Sequence, residues 1–188
     1  QYAKQHGLCE ADFLSLVHDN LSQPGTCALG YNSIRFDDEF IRFGLYRNFF
    51  DAYEREYAGG NSRWDLLDVM RMVYALRSDI LQWPLRDDGM PSFKLEHLAK
   101  ANNAFEGSAH EALSDVRSLI NMARLIKNGA PDLWQYALSL RDKNVVANKL
   151  SAHNNQRILH VSGQFPASQA CTGLMLPLLI HPHIKTRT

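Results

Sequence analysis

Two short stretches carry residue types that could do chemistry together. In GSAHEALSDV, residues 107–116, a histidine is followed five places later by an aspartate. Ser108 and Glu111 form an S-x-x-E capping box there, which predicts Ser108 as N-cap and places His110 in the first turn of a helix. Asp115 shares a helical stripe with Leu119, Met122 and Ile126, so it is expected at the head of a buried, apolar face. In GYNSIRFDDEF, residues 30–40, Asp37 repeats this construction: it lies in the first turn of a helix after an apolar strand, in line with Ile41 and Gly44. A buried carboxylate is costly unless it is paired, hydrogen-bonded or bound to metal. Two of them at helix mouths could converge on a divalent cation, which takes carboxylate oxygens. A neutral imidazole at His110, kept unprotonated by the helix N-terminus, could accept a proton from water. Spacing alone does not carry this reading, because a first-turn aspartate is ordinarily a dipole partner and a first-turn histidine a surface residue.

The elements that must position these groups are mostly helical. ADFLSLVHDNL at 11–21 sets Phe13, Leu14, Val17 and Leu21 at helical spacing and is stopped by QPG at 23–25. TCALGYN at 26–32 reads as a short buried strand, and FDDEFIRFGLYRNFFDAY at 36–53 as a helix with acids in its first turn. RWDLLDVMRMVYALR at 63–77 admits a short strand running into a helix or one helix throughout, and the pattern favours the helix. DDGMPS at 87–92 is a turn, FKLEHLAKAN a helix opened by Ser92, and SAHEALSDVRSLINMARLIKNG a helix closed by Gly129. PDLWQYALSLRDKNVVANKL at 131–150 is expected to be one further helix with Pro131 at its start. From Arg157 the pattern changes to ILHVSGQF, β-branched and glycine-punctuated, which reads as the first strand of something different.

Composition narrows the function classes. The chain has 188 residues, 45% hydrophobic and 21% charged, enough for one domain or one and a fraction with a real core. Lys and Arg number 20 and Asp and Glu number 20, so any nucleic-acid contact must come from a local patch rather than an overall field. Cys9, Cys27 and Cys171 are odd in number and lack CxxC spacing, so neither a disulfide framework nor a zinc knuckle is indicated, and a reducing, cytoplasmic setting fits. GLMLPLLI at 173–180 is too short and proline-broken to span a bilayer. The start at Gln1 and the finish directly after that apolar stretch suggest a piece of something longer.

Taken together, Asn32, Phe36–Asp37 at a helix mouth and the AHEALSD string resemble the second and third motifs of the DEDDh exonucleases of RNase H-like fold. YRNFFDAY, NSRWDLLDVMRMVYALR, DDGMPSFKLEHLAKAN and HVSG are similar to one bacterial branch of that family, which degrades single-stranded DNA from its 3′ end. The resemblance implies an α/β fold: an RNase H-like exonuclease domain over residues 1–128 with its first strands missing, a connecting helix over 129–156, and the beginning of a small β-barrel domain over 157–188. It implies Asp37 and Asp115 as metal ligands and His110 as the general base. The cofactors would be two Mg2+ ions about 4 Å apart, with Mn2+ able to substitute, and the products deoxynucleoside 5′-monophosphates. The family's first motif, D-x-E on an opening strand, is not found in residues 1–25. The alternatives are therefore a catalytically inactive nucleic-acid-binding fragment, or a related oligoribonuclease or proofreading exonuclease; HVSG and YRNFFDAY argue against the last two.

Sequence-tolerant binding of a single strand needs cations for phosphates and flat faces for bases. The resemblance implies Lys94, expected in the first turn of its helix, as a substrate contact, and Phe93 beside it offers a stacking face. Arg42 with Tyr53 and Tyr57 forms a second basic and aromatic cluster, and Lys143 is a weaker candidate of the same kind. Arg77, Arg71 and Tyr136 could line a surface groove for a partner, and the resemblance implies the acidic tail of single-strand DNA-binding protein as that partner. Trp64, Trp83 and Trp134 are expected to be packing residues. Asp65 is read as a helix-start residue and Asp68 as a helix-surface or capping group. His160, His181 and His183 could be read as a metal cluster, but histidine alone carries little specificity and a tail end is preferred. A monomer fits the resemblance.

Overall fold

The computed structural model describes residues 5–107, 111–151 and 155–179, and the chain divides between Asp65 and Leu66 into two units. The first unit runs α1 (Glu10–Leu21), β1 (Cys27–Gly30), α2 (Asp37–Arg47) and β2 (Ser62–Asp65). β1 and β2 pair in parallel from Cys27 opposite Ser62 to Gly30 opposite Asp65, with α2 in the crossover that parallel strands require. The buried Asn61 joins three elements. Its Oδ1 accepts the Thr26 N–H at 2.9 Å and its Nδ2 donates to the Leu21 carbonyl at 3.2 Å, fixing the end of α1 against the starts of both strands. Leu14, Leu45 and Trp64 fill the interior. Gly44 makes the approach of α1 and α2 feasible, since a Cβ there would stand 2.9 Å from a Leu14 methyl.

Two expectations for this unit are corrected. Residues 62–65 form a strand rather than the first turn of a helix, because their backbone pairs in parallel with β1. The helix expected over 36–53 stops at Arg47. Asn48 closes it, Phe49 turns into the left-handed region at φ 66°, and Phe50 N–H returns to the Leu45 carbonyl at 3.0 Å while Phe49 N–H reaches Tyr46 at 3.2 Å. That is a Schellman closure with phenylalanine where glycine is usual, so the sequence carries no glycine to announce it.

The second unit runs α3 (Leu66–Leu76), α4 (Leu95–Ala101), α5 (Ala112–Gly129), α6 (Pro131–Ser139), α7 (Lys143–Lys149), β3 (Ile158–Val161) and β4 (Thr172–Met175). Leu66, Val69, Met70, Met72 and Val73 of α3, Leu98 and Ala99 of α4, and Leu119, Met122, Ala123 and Ile126 of α5 make its core. β3 and β4 pair antiparallel, Ile158 opposite Met175. Beneath them Phe165 lies so close to Gly173 that a Cβ there would stand 2.6 Å from its ring. No barrel closes among the described residues.

Three helix boundaries differ from expectation. The single helix expected over 131–150 is two, broken at Leu140–Asp142, where the Asp142 carboxylate accepts the Asn144 N–H at 2.8 Å and caps α7. α4 opens at Leu95 with Lys94 as its N-cap rather than Ser92. The Ser92 Oγ instead lies 2.8 Å from His97 Nδ1 and 3.4 Å from the Lys94 N–H. α5 has Glu111 at its N-cap; Ser108, expected there, and His110 lie outside the described residues. Gly129 is the last residue of α5 and Ala130 follows as its cap. No helix among the described residues is long and apolar enough to cross a membrane.

Candidate functional site

In the first unit the chain leaves β1 through Gly30, turns left-handed at Asn32 (φ 60°), makes a single 3-10 turn over Ser33–Arg35 and enters α2 at Asp37. Gly30 is required there, because a Cβ would collide with Ser33. The loop is held from the side by Asp65, a buried residue at the end of β2. Its Oδ1 accepts the Asn32 N–H at 2.7 Å and its Oδ2 the Ile34 N–H at 3.3 Å. Asp65 stands directly before α3, in keeping with the helix-start position expected of it, and its carboxylate also serves the β1–α2 loop.

Asp37 and Asp38 divide their labour sharply. Asp38 is 4% exposed and saturated: Arg55 Nη2 donates to its Oδ1 and Arg63 Nη1 to its Oδ2, both at 2.8 Å. Arg63 continues to Glu56 at 3.0 Å, and Arg42 closes the cluster on Glu56 with bonds of 2.7 and 3.0 Å. Burial alone would raise the Asp38 carboxyl, but the Arg55 and Arg63 hydrogen bonds outweigh it and hold the group below its ordinary value. Asp37 is exposed and makes no ion pair or hydrogen bond among the described residues. It is thus the available carboxylate of the pair, although not the buried one that the stripe with Ile41 and Gly44 suggested.

In the second unit Asp115 rides on α5. Its stripe mates Leu119, Met122 and Ile126 are buried as expected, yet Asp115 itself is exposed. The inward positions at this end of the helix belong to Ser114 and Ser118, one step round the axis. Ser114 anchors the start of α5 by donating to the Glu106 carbonyl, and Asn121 Nδ2 adds a bond to Glu106 Oε1 at 2.8 Å. Asp115, like Asp37, has no ion-pair partner among the described residues. His110 falls outside them.

The expected substrate residues fall into distinct settings. Lys94 is exposed at the N-cap of α4, and Phe93 is packed edge-on against Tyr74 at 5.5 Å and near Trp83 at 5.9 Å. Both line a cleft of about 540 Å³ together with Arg71, Arg86, Phe165 and Cys171. Arg42 lies over the Tyr53 ring at 5.0 Å, and Tyr53 and Tyr57 are largely exposed, so the basic and aromatic cluster does assemble around Arg42 and Tyr53. The Arg42 guanidinium, however, is already held by Glu56. Lys143 opens α7 on the surface.

Of the expected groove residues, Arg77 pairs with Asp79 at 2.9 Å and Tyr136 sits under Lys149 at 4.9 Å, both exposed. Arg71 is different: it bonds Asp68 at 2.5 Å, packs against Gly163, and belongs to the cleft wall beside Lys94 rather than to an open surface. Burial pushes the Cys171 thiol up despite its Arg71 neighbour. Trp64 is core, as expected, and Trp83 packs on Tyr74 at 5.0 Å. His160 is exposed on β3 against Phe165, whereas His181 and His183 lie outside the described residues.

Sequence reasoning missed Asp38, Arg55, Glu56, Arg63 and the loop-holding role of Asp65. The alternation Arg63–Trp64–Asp65 was the available signal, since a buried residue between two polar ones marks a strand whose flanking side chains share a face. Asp37 and Asp115, each exposed and unpaired among the described residues, are each a donor of the kind a hard divalent cation takes. No group of three or more metal-ligating side chains converges among the described residues.

Two family models match the chain. Residues 141–188 match the family described as the Exonuclease I SH3-like domain, and residues 15–123 the family described as Exonuclease. Exodeoxyribonuclease I of Escherichia coli is 45% identical over 182 residues, covering 97% of this chain and 38% of that protein. Its counterpart in Haemophilus influenzae is 43% identical over the same shares. The structure of E. coli exonuclease I in complex with a dA16 oligonucleotide superposes with a TM-score of 0.87 at 45% identity, covering 94% of this chain and 38% of that one. The ExoI/SSB-Ct complex gives 0.86 at 45% identity, over 93% and 38%. The chain thus spans 38% of the length of these curated relatives. Because the Exonuclease match takes in more than half of its 188 residues, the chain belongs to the exonuclease family.

Proposed function

We propose that this chain is part of a metal-dependent 3′→5′ exonuclease that hydrolyses single-stranded DNA to deoxynucleoside 5′-monophosphates in DNA repair or recombination. The observation that carries this reading is the split between Asp37 and Asp38: an arginine-saturated carboxylate fixes the helix mouth while its neighbour is left open as a ligand. The relatives, named exodeoxyribonuclease I and solved with an oligonucleotide, supply the substrate class.

In this reading Asp37 and Asp115 are metal-site carboxylates and His110 takes the proton of the attacking water. Two Mg2+ ions, with Mn2+ as a substitute, would supply water activation and stabilisation of the leaving 3′ oxygen. Lys94 neutralises a phosphate, and Phe93, Tyr53 and Tyr57 give bases flat faces. Arg42 orients Tyr53, and Lys143 adds a peripheral cation. Arg77 and Tyr136, with Arg71 behind the cleft wall, are the candidates for the acidic tail of single-strand DNA-binding protein, the partner named in the ExoI/SSB-Ct complex. The division into an exonuclease part over 1–128, a connector over 129–156 and an entry to a barrel over 157–188 belongs to the same proposal, as do a monomeric state, a cytoplasmic setting and a D-x-E motif supplied from outside these residues.

The test is release of mononucleotides from 3′-ended single-stranded DNA by the intact protein with magnesium. Asp115→Ala should abolish release, and His110→Ala should reduce it strongly while metal binding persists. Equal rates for wild type and His110→Ala overturn the base assignment. An intact protein that binds DNA but releases no nucleotide establishes the binding-module alternative.

A further inference from the structure

Asp37 is aimed by a loop and a helix start that contain no large core residue: Ile34 and Phe36 before it are both exposed. Something other than apolar packing must therefore set its position. Arg63 and Asp65 are two residues apart on β2, so their side chains leave the strand on one face. Arg63 reaches forward to Asp38, just after Asp37, and Asp65 reaches back to the backbone N–H groups of Asn32 and Ile34, just before it. The two anchors bracket Asp37. Their natures differ, however. Arg63 shares its load with Arg55 on the same carboxylate, whereas Asp65 gives both of its oxygens to the loop that carries the left-handed Asn32 and the 3-10 turn, adding to the turn's own backbone bonds.

We propose that Asp65 is a positioning residue: by accepting the Asn32 and Ile34 N–H groups it presents the Asp37 carboxylate to the divalent cation. This rests on the reading of Asp37 as a metal ligand. It assigns Asp65 no contact with metal or substrate. Groups that orient a ligand in this way typically contribute roughly 10- to 100-fold to metal affinity.

The test uses the intact protein and Mn2+ as probe, with affinity measured by electron paramagnetic resonance in the absence of DNA. Asp65→Asn, which keeps one acceptor oxygen, should weaken Mn2+ binding at least roughly tenfold. In the nuclease assay it should raise the metal concentration for half-maximal rate while kcat at saturating metal approaches wild type. Asp65→Glu, which restores both oxygens, should recover part of the affinity; the Asn variant keeps the test usable if Asp65→Ala does not fold. Asp37→Ala separates the two claims. If it loses Mn2+ binding and Asp65→Asn does not, the positioning role is overturned and the ligand assignment stands. If Asp37→Ala binds Mn2+ like wild type, the ligand assignment fails and the positioning role fails with it.

Discussion

Arg63 donates to the Asp38 carboxylate at 2.8 Å, tying the middle of β2 to the first turn of α2. Arg55, with a side chain only 1% exposed, donates to the other oxygen of the same group. The consequence for stability is asymmetric. Asp38→Ala takes from the buried Arg55 its hydrogen-bonded carboxylate and leaves only Glu56 at 3.7 Å, and breaking such a buried pair costs about 3 kcal/mol. Chemical denaturation should show the loss as a lower midpoint with an unchanged slope.

The same carboxylate makes a prediction about pH. Arg55 and Arg63 hold Asp38 below its ordinary value in the folded protein despite burial, so the folded state releases this proton more readily than the unfolded chain. Its stabilising contribution is fully present above the unfolded value of about 4 and is lost as pH falls through the lower folded value. Urea midpoints measured from neutral to acid pH should therefore fall more steeply below about pH 4 for wild type than for Asp38→Asn.

Asp37→Asn should behave in the opposite way. Asp37 is exposed and bonded to nothing described, so the melting temperature should stay within a few degrees of wild type, as expected for surface changes. Nuclease activity in the intact protein should fall by about 10³-fold, which corresponds to about 4 kcal/mol of transition-state stabilisation. A variant of Asp37 that unfolds early yet cleaves normally would reverse the assignment of the two acids.

That reversal is also where the sequence stopped being informative. Adjacent acids at a helix start read alike, and the stripe argument pointed Asp37 inward; only Arg55 and Arg63, 17 and 25 residues away, decide that Asp38 is the buried one. Asp115 failed in the same direction, since Ser114 and Ser118 occupy the inward line and a short polar side chain hides from hydrophobic periodicity. The strand at 62–65 lay inside a longer helical pattern, which outweighed the short alternation Arg63–Trp64–Asp65. Long elements with clean periodicity, α3 and α5 above all, were legible because their burial follows a single stripe.

Lys94 supplies a prediction about substrate. It is exposed, unpaired among the described residues, and borders the cleft with Arg71 and Arg86. If it neutralises one phosphate, Lys94→Ala should weaken single-strand binding for every sequence alike and lower the slope of log K against log salt by about 0.7. Fluorescence anisotropy with two oligonucleotides of different composition over a salt series measures both.

The last prediction concerns Phe49, which holds φ 66° with its side chain 99% exposed. Left-handed backbone costs an L-residue about 1–2 kcal/mol, and a fully exposed ring returns no burial to offset it. Glycine carries no such penalty but gives up more entropy on folding, roughly 0.5–1 kcal/mol. The Schellman bonds from Phe49 and Phe50 to the end of α2 come from the backbone and survive the change. Phe49→Gly should therefore stabilise the protein by up to about 1 kcal/mol, a rise of about 2–4 °C in Tm for a chain of this size. A fall in Tm would mean that the Phe49 ring makes a contact in solution that outweighs the strain, which would move this residue from a helix stop to a binding surface.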